Sequence, residues 1–227
     1  MIIKHSQKDV IIDIPLKFKK IGLKLSGGAD SALLCYLLFK YISEERPDCI
    51  IFPVTANQEL NPYNFELSEK IVDFCKKEFP TVNVGIHYKC SQYEDECHVI
   101  LMQKIFLRTL KQNKLLDCHF IGLTTNPPKG FNDNTLSDNT REMDKEEIVG
   151  NSNPSFRPLV NIDKKGICEL YKNFNLLGSL FLITRSCDST NAKSYLTHCN
   201  DCFPCNERRW GFGTVKNKWD IKQGKGK

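Results

Sequence analysis

Residues 24–31 read Lys24-Leu25-Ser26-Gly27-Gly28-Ala29-Asp30-Ser31, and this stretch predicts how the rest of the chain is organised. Apolar residues 21–23 before it are typical of a short buried strand, and leucines recur at helical spacing after it. A strand, a glycine turn and a helix N-terminus in that order bring backbone N–H groups and the helix dipole around an anion. The two glycines let the backbone approach a phosphate closely, and the two serines add hydroxyl donors. An ordinary strand-to-helix turn capped by Asp30 is the alternative.

Composition is that of a soluble globular protein. The chain has 227 residues, of which 41% are hydrophobic and 26% are charged, enough for one domain with a proper core. No apolar run approaches the ~20 residues of a membrane span, and the first residues lack the pattern of a signal peptide. We therefore expect a cytoplasmic protein with no membrane partner. The net charge of +5 fits a phosphate-bearing ligand or weak affinity for nucleic acid and decides for neither.

Strand patterns alternate with amphipathic helix patterns, which predicts an α/β fold with a doubly wound parallel sheet. The expected strands cover about residues 20–25, 49–55, 82–86 and 118–122. The expected helices cover about residues 30–43, 65–79, 95–112 and 161–174. In such sheets ligands bind outside the carboxyl ends of the strands. Three such ends are expected at residues 26–31, 55–59 and 123–126.

The chain is expected to contain four segments. They are a hairpin extension (1–19), an α/β domain (20–180), a metal-binding segment (181–213) and a frayed basic tail (214–227). Inside the α/β domain, residues 124–155 show no periodic pattern and exceed the ~12–15 residues of an ordinary structureless loop. A substrate lid and a disordered surface insertion explain this segment equally well.

Four of the eleven cysteines lie toward the C-terminal end, namely Cys187, Cys199, Cys202 and Cys205. Four thiolates enclose one tetrahedral Zn²⁺, and two-residue gaps suit a tight turn that points two sulfurs at one ion. A closed four-cysteine site leaves no position for substrate, so the ion would hold together a segment with little core. The alternatives are an iron–sulfur cluster, a redox or sulfur-carrying pair of Cys202 and Cys205, and replacement of one thiol by His198.

Together, the glycine turn and the cysteine pattern resemble the 7-cyano-7-deazaguanine synthase family, a branch of the PP-loop ATP pyrophosphatases. Residues 120–123, 157–164 and 182–187 resemble that family's fourth strand, the stretch before its late helix and the approach to its first zinc cysteine. The resemblance runs from about residue 20 to about residue 212. The phosphate motif specifies the superfamily, and the cysteine pattern narrows it to this branch.

The resemblance implies an ATP-dependent ligase that converts 7-carboxy-7-deazaguanine and ammonia into 7-cyano-7-deazaguanine, for queuosine-type deazapurine biosynthesis. The implied catalytic residues are Ser26, Asp30, Ser31 and Lys164. The implied ATP contacts are Leu25, Ser26, Gly27, Gly28, Ala29, Asp30, Ser31, Val54 and Gly122. Mg²⁺, with Asp30 as a ligand, would offset the phosphate charge, and Zn²⁺ would bind the four cysteines. Family members often dimerise, so the resemblance makes a homodimer one option, although no stretch of the sequence indicates an interface.

The chain departs from the family pattern on the substrate side. Residues 55–59 replace a Tyr-Gly-Gln-type segment, no Arg-Asn element is recognisable in residues 94–103, and residues 124–126 stand where an acidic residue is expected. One alternative is a diverged relative that adenylates another carboxylate, including one on a macromolecule. Others are a PP-loop enzyme that thiolates tRNA, with Cys202 or Cys205 carrying sulfur, and a nucleotide-binding interaction module without activity. The favoured function needs a deazapurine carboxylate and ammonia, and no nucleic acid.

Overall fold

The computed structural model describes residues 1–57, 63–91, 99–128, 147–148, 154–187 and 196–223. The strands are β1 (Ile2–Ile3), β2 (Val10–Ile11), β3 (Lys20–Lys24), β4 (Ile50–Asn57), β5 (Asn83–Val84), β6 (Tyr88–Ser91), β7 (Cys118–Ile121), β8 (Glu147–Ile148) and β9 (Ser155–Phe156). The helices are α1 (Ala29–Glu45), α2 (Asn64–Glu78), α3 (Val99–Gln112), α4 (Lys164–Asn173), α5 (Phe203–Phe212) and α6 (Lys218–Gln223), and Phe181–Ile183 forms a 3-10 turn.

The main sheet has the strand order β5-β4-β3-β7-β9-β8, and β6 also pairs with β4. Every pairing in it is parallel except that of β8 with β9. Alternate residues of β4 enter different apolar clusters, because Ile51 packs with α1 and α2 whereas Val54 packs with Leu107 and Leu110 of α3. Helices therefore cover both faces, and the predicted doubly wound α/β fold is confirmed.

The third predicted strand differs from the prediction. It is limited to Asn83–Val84, and the chain then pairs again with β4 as β6. Between the two strands the amide of Gly85 still donates to the carbonyl of Ile51 at 2.8 Å, and only glycine fits there because a Cβ would lie 2.2 Å from the ring of Phe52. The sequence did not predict β6, since its exposed and half-buried residues alternate without a strong apolar signal.

Only part of the long aperiodic segment lies in the described residues. Within it, β8 pairs antiparallel with β9, so the expectation of unpatterned chain throughout residues 124–155 was wrong there. Thr124 is buried, and the amide of Thr125 donates to the carbonyl of Ile162 at 2.9 Å. The choice between a lid and a surface insertion concerns residues 129–146 and 149–153, which lie outside the described residues.

The expected frayed tail is wrong for residues 214–223. Val215 and Asn217 are buried, and the Asn217 side chain donates to the carbonyl of Leu196 at 2.9 Å. Its amide oxygen accepts the backbone N–H groups of Trp219 and Asp220, each at 3.0 Å, and so caps α6. This capping pattern explains how a lysine-rich segment is held on the domain.

The N-terminal strands β1 and β2 pair antiparallel, and the turn between them contacts the start of α4. Gln7 donates to the carboxylate of Asp163 at 2.8 Å and accepts the Asp163 N–H at 3.0 Å. Asp163 is the N-cap of α4 and also accepts the amides of Lys165 and Gly166. The hairpin therefore supports the helix that begins with Lys164. In the described ranges, no helix combines the length and the apolar content that a bilayer crossing requires.

Because His119 of β7 is buried, the free energy of unfolding is expected to depend on pH. Burial, with the nearby charges of Lys111 and Lys24, lowers the pKa of His119 to about 3. An unfolded histidine binds its proton near pH 6.5, so between these values the unfolded chain carries more protons and the free energy of unfolding falls as the pH is lowered. We expect His119→Gln to flatten this fall by about 1.4 kcal/mol per pH unit between pH 6 and 4. Urea unfolding across that range tests this, and equal slopes for variant and wild type would contradict it.

Candidate nucleotide and metal sites

The glycine turn (residues 26–31) connects the centre of the sheet to α1. The amide of Leu25 donates to the carbonyl of Val54 at 2.9 Å, and the chain then leaves the sheet at its carboxyl edge. Gly27 has a φ of +82°, which favours glycine, and a Cβ there would lie 2.8 Å from the Cβ of Leu67. The helix begins at Ala29, close to the predicted start, and its N-cap is Gly28.

Hydroxyl groups fix the shape of the turn. Ser31 Oγ donates to the carbonyl of Gly28 at 3.1 Å, and the hydroxyl of Ser26 lies 3.1 Å from that of Ser31. The amides of Ser26 and Gly28 donate to the Ser31 and Ser26 hydroxyls at 3.3 and 3.4 Å. The Asp30 side chain does not cap α1, so the ordinary capped turn is not what forms. The positive end of α1 is left facing the turn, as an anion site requires.

Asp30 instead joins a charge cluster with two buried residues, one of α4 and one of α5. Lys164 Nζ lies 2.5 Å from Asp30 Oδ2 and 3.5 Å from Glu207 Oε2. Lys164 and Glu207 are 4% and 3% exposed, so this ammonium sits between two carboxylates with little access for water. Asp30 Oδ1 is buried and has no hydrogen-bond partner among the described residues. A buried carboxylate oxygen without a donor suits a hard cation such as Mg²⁺.

Four other residues were predicted to contact the nucleotide, and the structure shows what each position can offer. Leu25, Ala29 and Val54 are at most 1% exposed, and their side chains lie in the core. Only their backbone atoms can face a nucleotide. Gly122 follows β7 and lies against the first turn of α1.

The contact between Gly122 and the first turn of α1 leaves no room for a side chain, so a larger residue at this position tests the contact. A Cβ there would lie 2.9 Å from both the amide nitrogen and the Cα of Ser31. We expect Gly122→Ala to displace the glycine turn and to lower the free energy of unfolding by about 1–3 kcal/mol. Chemical denaturation measures this loss. Gly178→Ala is the matched control, since a Cβ at that position meets nothing within 4 Å; equal effects of the two would contradict the packing.

Glu207 and Arg208 of α5 lie between the two candidate sites and were not among the predicted site residues. Arg208 is fully buried and donates to the hydroxyls of Thr184 at 2.8 Å and Ser186 at 3.3 Å. Burial lowers the pKa of Arg208 to about 10, so it stays charged at neutral pH. Glu207 and Arg208 follow Cys205 within one helical turn. Their position just after Cys205 is the feature of the sequence that could have indicated them. An ion that orients Cys205 also orients the helix that carries both residues.

The cysteine cluster (Cys187, Cys199, Cys202 and Cys205) brings its four sulfurs within 4.8 Å of one another. The Cys199–Cys205 and Cys202–Cys187 sulfurs are each 3.9 Å apart. Zn–S bonds of about 2.3 Å in a tetrahedron separate sulfurs by about 3.8 Å, so the cluster fits a single ion. An iron–sulfur cubane binds each sulfur to a different iron and needs wider spacing.

Backbone N–H groups and His198 surround the cysteine cluster. The amides of Asp201 and Cys202 approach the Cys199 sulfur at 3.4 and 3.3 Å, which stabilises a thiolate. His198 Nδ1 lies 2.8 Å from Asp220 Oδ2, and His198 Nε2 accepts the amide of Ser186 at 3.3 Å. Both ring nitrogens therefore have partners outside the cluster, which weighs against replacement of a thiol by His198.

Comparisons with known proteins give likeness in structure but none in sequence. No family model matches the chain, and no curated protein matches it by sequence. Among solved structures it is similar to the U34-tRNA thiolase NcsA from Methanococcus maripaludis with its [4Fe-4S] cluster, at 18% identity and a TM-score of 0.48. The match covers 71% of this chain and 59% of the thiolase, so the chain spans less than two thirds of that protein's length.

Proposed function

We propose that the chain uses ATP to adenylate a carboxylate, releases pyrophosphate and joins the activated carbon to ammonia. The carboxylate we propose is 7-carboxy-7-deazaguanine. The observation that carries the proposal is the ion pair of Asp30 and Lys164 beside the glycine turn, in which Lys164 is buried and one Asp30 oxygen has no hydrogen-bond partner among the described residues. This pair offers a cation ligand and an ammonium at the edge of the sheet where ligands bind. A pair of this kind is better suited to binding a triphosphate and its cation than to recognising a partner protein, which favours an enzyme over an interaction module.

The chemistry follows from how charge moves in adenylation. The substrate carboxylate oxygen forms a bond to the α-phosphorus, and the bond from that phosphorus to the β-bridging oxygen breaks. Negative charge then develops on the leaving pyrophosphate, where Lys164 and the amides of the glycine turn stabilise it. Mg²⁺ held by Asp30 would supply further positive charge. The substrate supplies the attacking atom, so the chain needs only to position it and to exclude water.

Two activations account for a nitrile product. Ammonia attacks the acyl carbon and AMP leaves, which gives the amide after loss of a proton. A second ATP adenylates the amide oxygen, and departure of that oxygen with AMP gives the nitrile after further loss of protons. Both activations release pyrophosphate, so one phosphate site at the glycine turn serves both.

The cysteine cluster favours this ligase over the thiolation of tRNA. Its sulfurs surround one point, and the residues Cys187 and Cys205 are 2% and 0% exposed. We infer that Zn²⁺ binds here through four thiolates and has a structural role. Thiolation with Cys202 or Cys205 as the sulfur carrier would need that thiol free, whereas four-thiolate zinc binding occupies both.

Product analysis tests the proposal. The full chain is incubated with ATP, Mg²⁺, ammonia and 7-carboxy-7-deazaguanine, and mass spectrometry follows the amide and the nitrile. We expect both products in that order, with two ATP consumed per nitrile. Cleavage of ATP with a different acid and none with the deazapurine would show that another carboxylate is the substrate. Incorporation of sulfur into tRNA, with no amide formed, would favour thiolation.

A further inference from the structure

The cysteine cluster and the glycine turn are joined by two short paths, and each begins two residues from a buried cysteine. In the first path, the amide of Arg185 donates to the carbonyl of Gly27 at 3.0 Å. Arg185 Nη1 also donates to the carbonyl of Cys187 at 2.5 Å, and the Tyr63 hydroxyl donates to the same carbonyl at 2.6 Å. The backbone that presents Cys187 is thus bonded to the turn itself.

The second path runs through α5. Glu207 follows Cys205 by two residues, and its Oε2 lies 3.5 Å from Lys164 Nζ, which contacts Asp30. One turn further on, a Cβ at Gly211 would lie 2.7 Å from the backbone carbonyl of Lys164. Helix α5 therefore touches the N-terminus of α4 directly, and a movement of α5 must move the partner of Lys164.

The charges make this contact sensitive to position. Lys164 is 4% exposed and Glu207 is 3% exposed, and a buried ammonium is costly unless carboxylates surround it. With Glu207 in place, Asp30 can turn toward a cation while Lys164 keeps a carboxylate partner. If α5 moves away, Asp30 is the carboxylate left to pair with Lys164. The two charges then neutralise each other, so Asp30 is less available to Mg²⁺ and Lys164 is less available to a phosphate. The position of α5 depends in turn on the ion that Cys205 helps to bind.

We propose that Glu207 is a positioning residue that couples ion binding in the cysteine cluster to pyrophosphate binding at the glycine turn. The proposal rests on the proposed function, since it assumes that the turn binds pyrophosphate. Coupling between two sites is reciprocal, so pyrophosphate must tighten zinc binding by the same factor by which zinc tightens pyrophosphate binding. The zinc affinity therefore reports on the phosphate site without any reaction taking place.

Competition with a zinc chelator measures that factor. Zinc-loaded full chain is titrated to equilibrium with a chromogenic chelator, in Mg²⁺ with and without inorganic pyrophosphate. We expect pyrophosphate to raise the zinc affinity of the wild type by about tenfold, within the usual range of coupling between sites. In Glu207→Gln the zinc affinity without pyrophosphate stays near that of the wild type, and the gain falls below about twofold. Glu207→Asp keeps the carboxylate and is expected to recover part of the gain.

Glu78→Gln is the matched control, because Glu78 is an exposed carboxylate at the end of α2. It should behave like the wild type. Equal gains in the wild type and Glu207→Gln, with pyrophosphate bound to both, would overturn the role of Glu207. A wild type that binds pyrophosphate without any gain in zinc affinity overturns the coupling even if Glu207→Gln does not fold. Failure of calorimetry to detect pyrophosphate binding to the wild type would overturn the proposed function instead, so the two failures are distinguishable.

Discussion

Replacement of Asp30 by asparagine is expected to lower ATP-dependent pyrophosphate release by about a thousandfold while the chain stays folded. The substitution keeps the size of the side chain but removes the charge that attracts Mg²⁺ and pairs with Lys164 at 2.5 Å. Breaking a buried ion pair usually costs about 3–5 kcal/mol, because one charge is left alone. Lys164 still has Glu207 at 3.5 Å in this variant, so we expect a smaller loss of stability. Pyrophosphate release and thermal unfolding are measured on the same preparation.

Asp73→Asn is the control for this substitution. Asp73 is exposed on α2, away from the charge cluster, and the same chemical change there should leave both measurements unaltered. Pyrophosphate release by Asp30→Asn at the wild-type rate would show that the glycine turn is not the phosphate site. It would leave the observed fold unaffected.

Replacement of Cys205 by serine is expected to release the bound ion and to unfold the C-terminal segment. Cys205 is fully buried, and the binding energy of a structural zinc ion is part of the folding energy of its site. Loss of a direct ligand should weaken zinc binding by more than the ~10–100-fold that loss of an outer partner costs. Metal content is measured by atomic emission. Amide hydrogen exchange should rise in residues 184–187 and 196–223.

The matched control is Cys168→Ser, since Cys168 is a buried thiol of α4 outside the cysteine cluster. It should retain the full metal content. A different result for Cys205→Ser would be equally informative. Normal metal content and normal exchange, together with loss of activity, would point to a sulfur-carrying cysteine and contradict a structural ion.

The sequence predicted the parts of this molecule whose signals are local. A glycine turn between an apolar strand and an amphipathic helix needs particular backbone angles, so residues 26–31 indicated both the turn and the edge of the sheet. The two-residue gaps between cysteines likewise indicated that the four thiols lie close together. In both cases the residue types and their spacing are the cause of the structure.

Other parts depend on contacts between residues far apart in the chain. Glu207 is an ordinary helical glutamate by sequence, and only the packing of α5 on α4 brings it to Lys164. Asn217 lies in a lysine-rich stretch that composition alone suggests is frayed, yet its side chain bonds the Leu196 carbonyl and caps α6. A short strand such as β6 forms because its backbone pairs with that of β4. No local pattern specifies such pairings.

The N-terminal hairpin and α6 each support one of the two candidate sites. The hairpin between β1 and β2 holds Asp163, the residue before Lys164, through Gln7. At the other end, Asp220 of α6 accepts the backbone N–H of His198, next to the first cysteine of the pair Cys199 and Cys202. Both segments support elements that carry the charge cluster and the cysteine cluster.

The most direct test of the central claim is to determine which phosphate bond of ATP the chain breaks. The full chain is mixed with Mg²⁺, ammonia, 7-carboxy-7-deazaguanine and ATP labelled in its α-phosphate, and the labelled products are separated. We predict that the label appears in AMP, with one pyrophosphate released for each AMP, and that Asp30→Asn forms both about a thousandfold more slowly. Label in ADP with release of inorganic phosphate, or equal formation of AMP by Asp30→Asn, would contradict the claim that the glycine turn binds the leaving pyrophosphate.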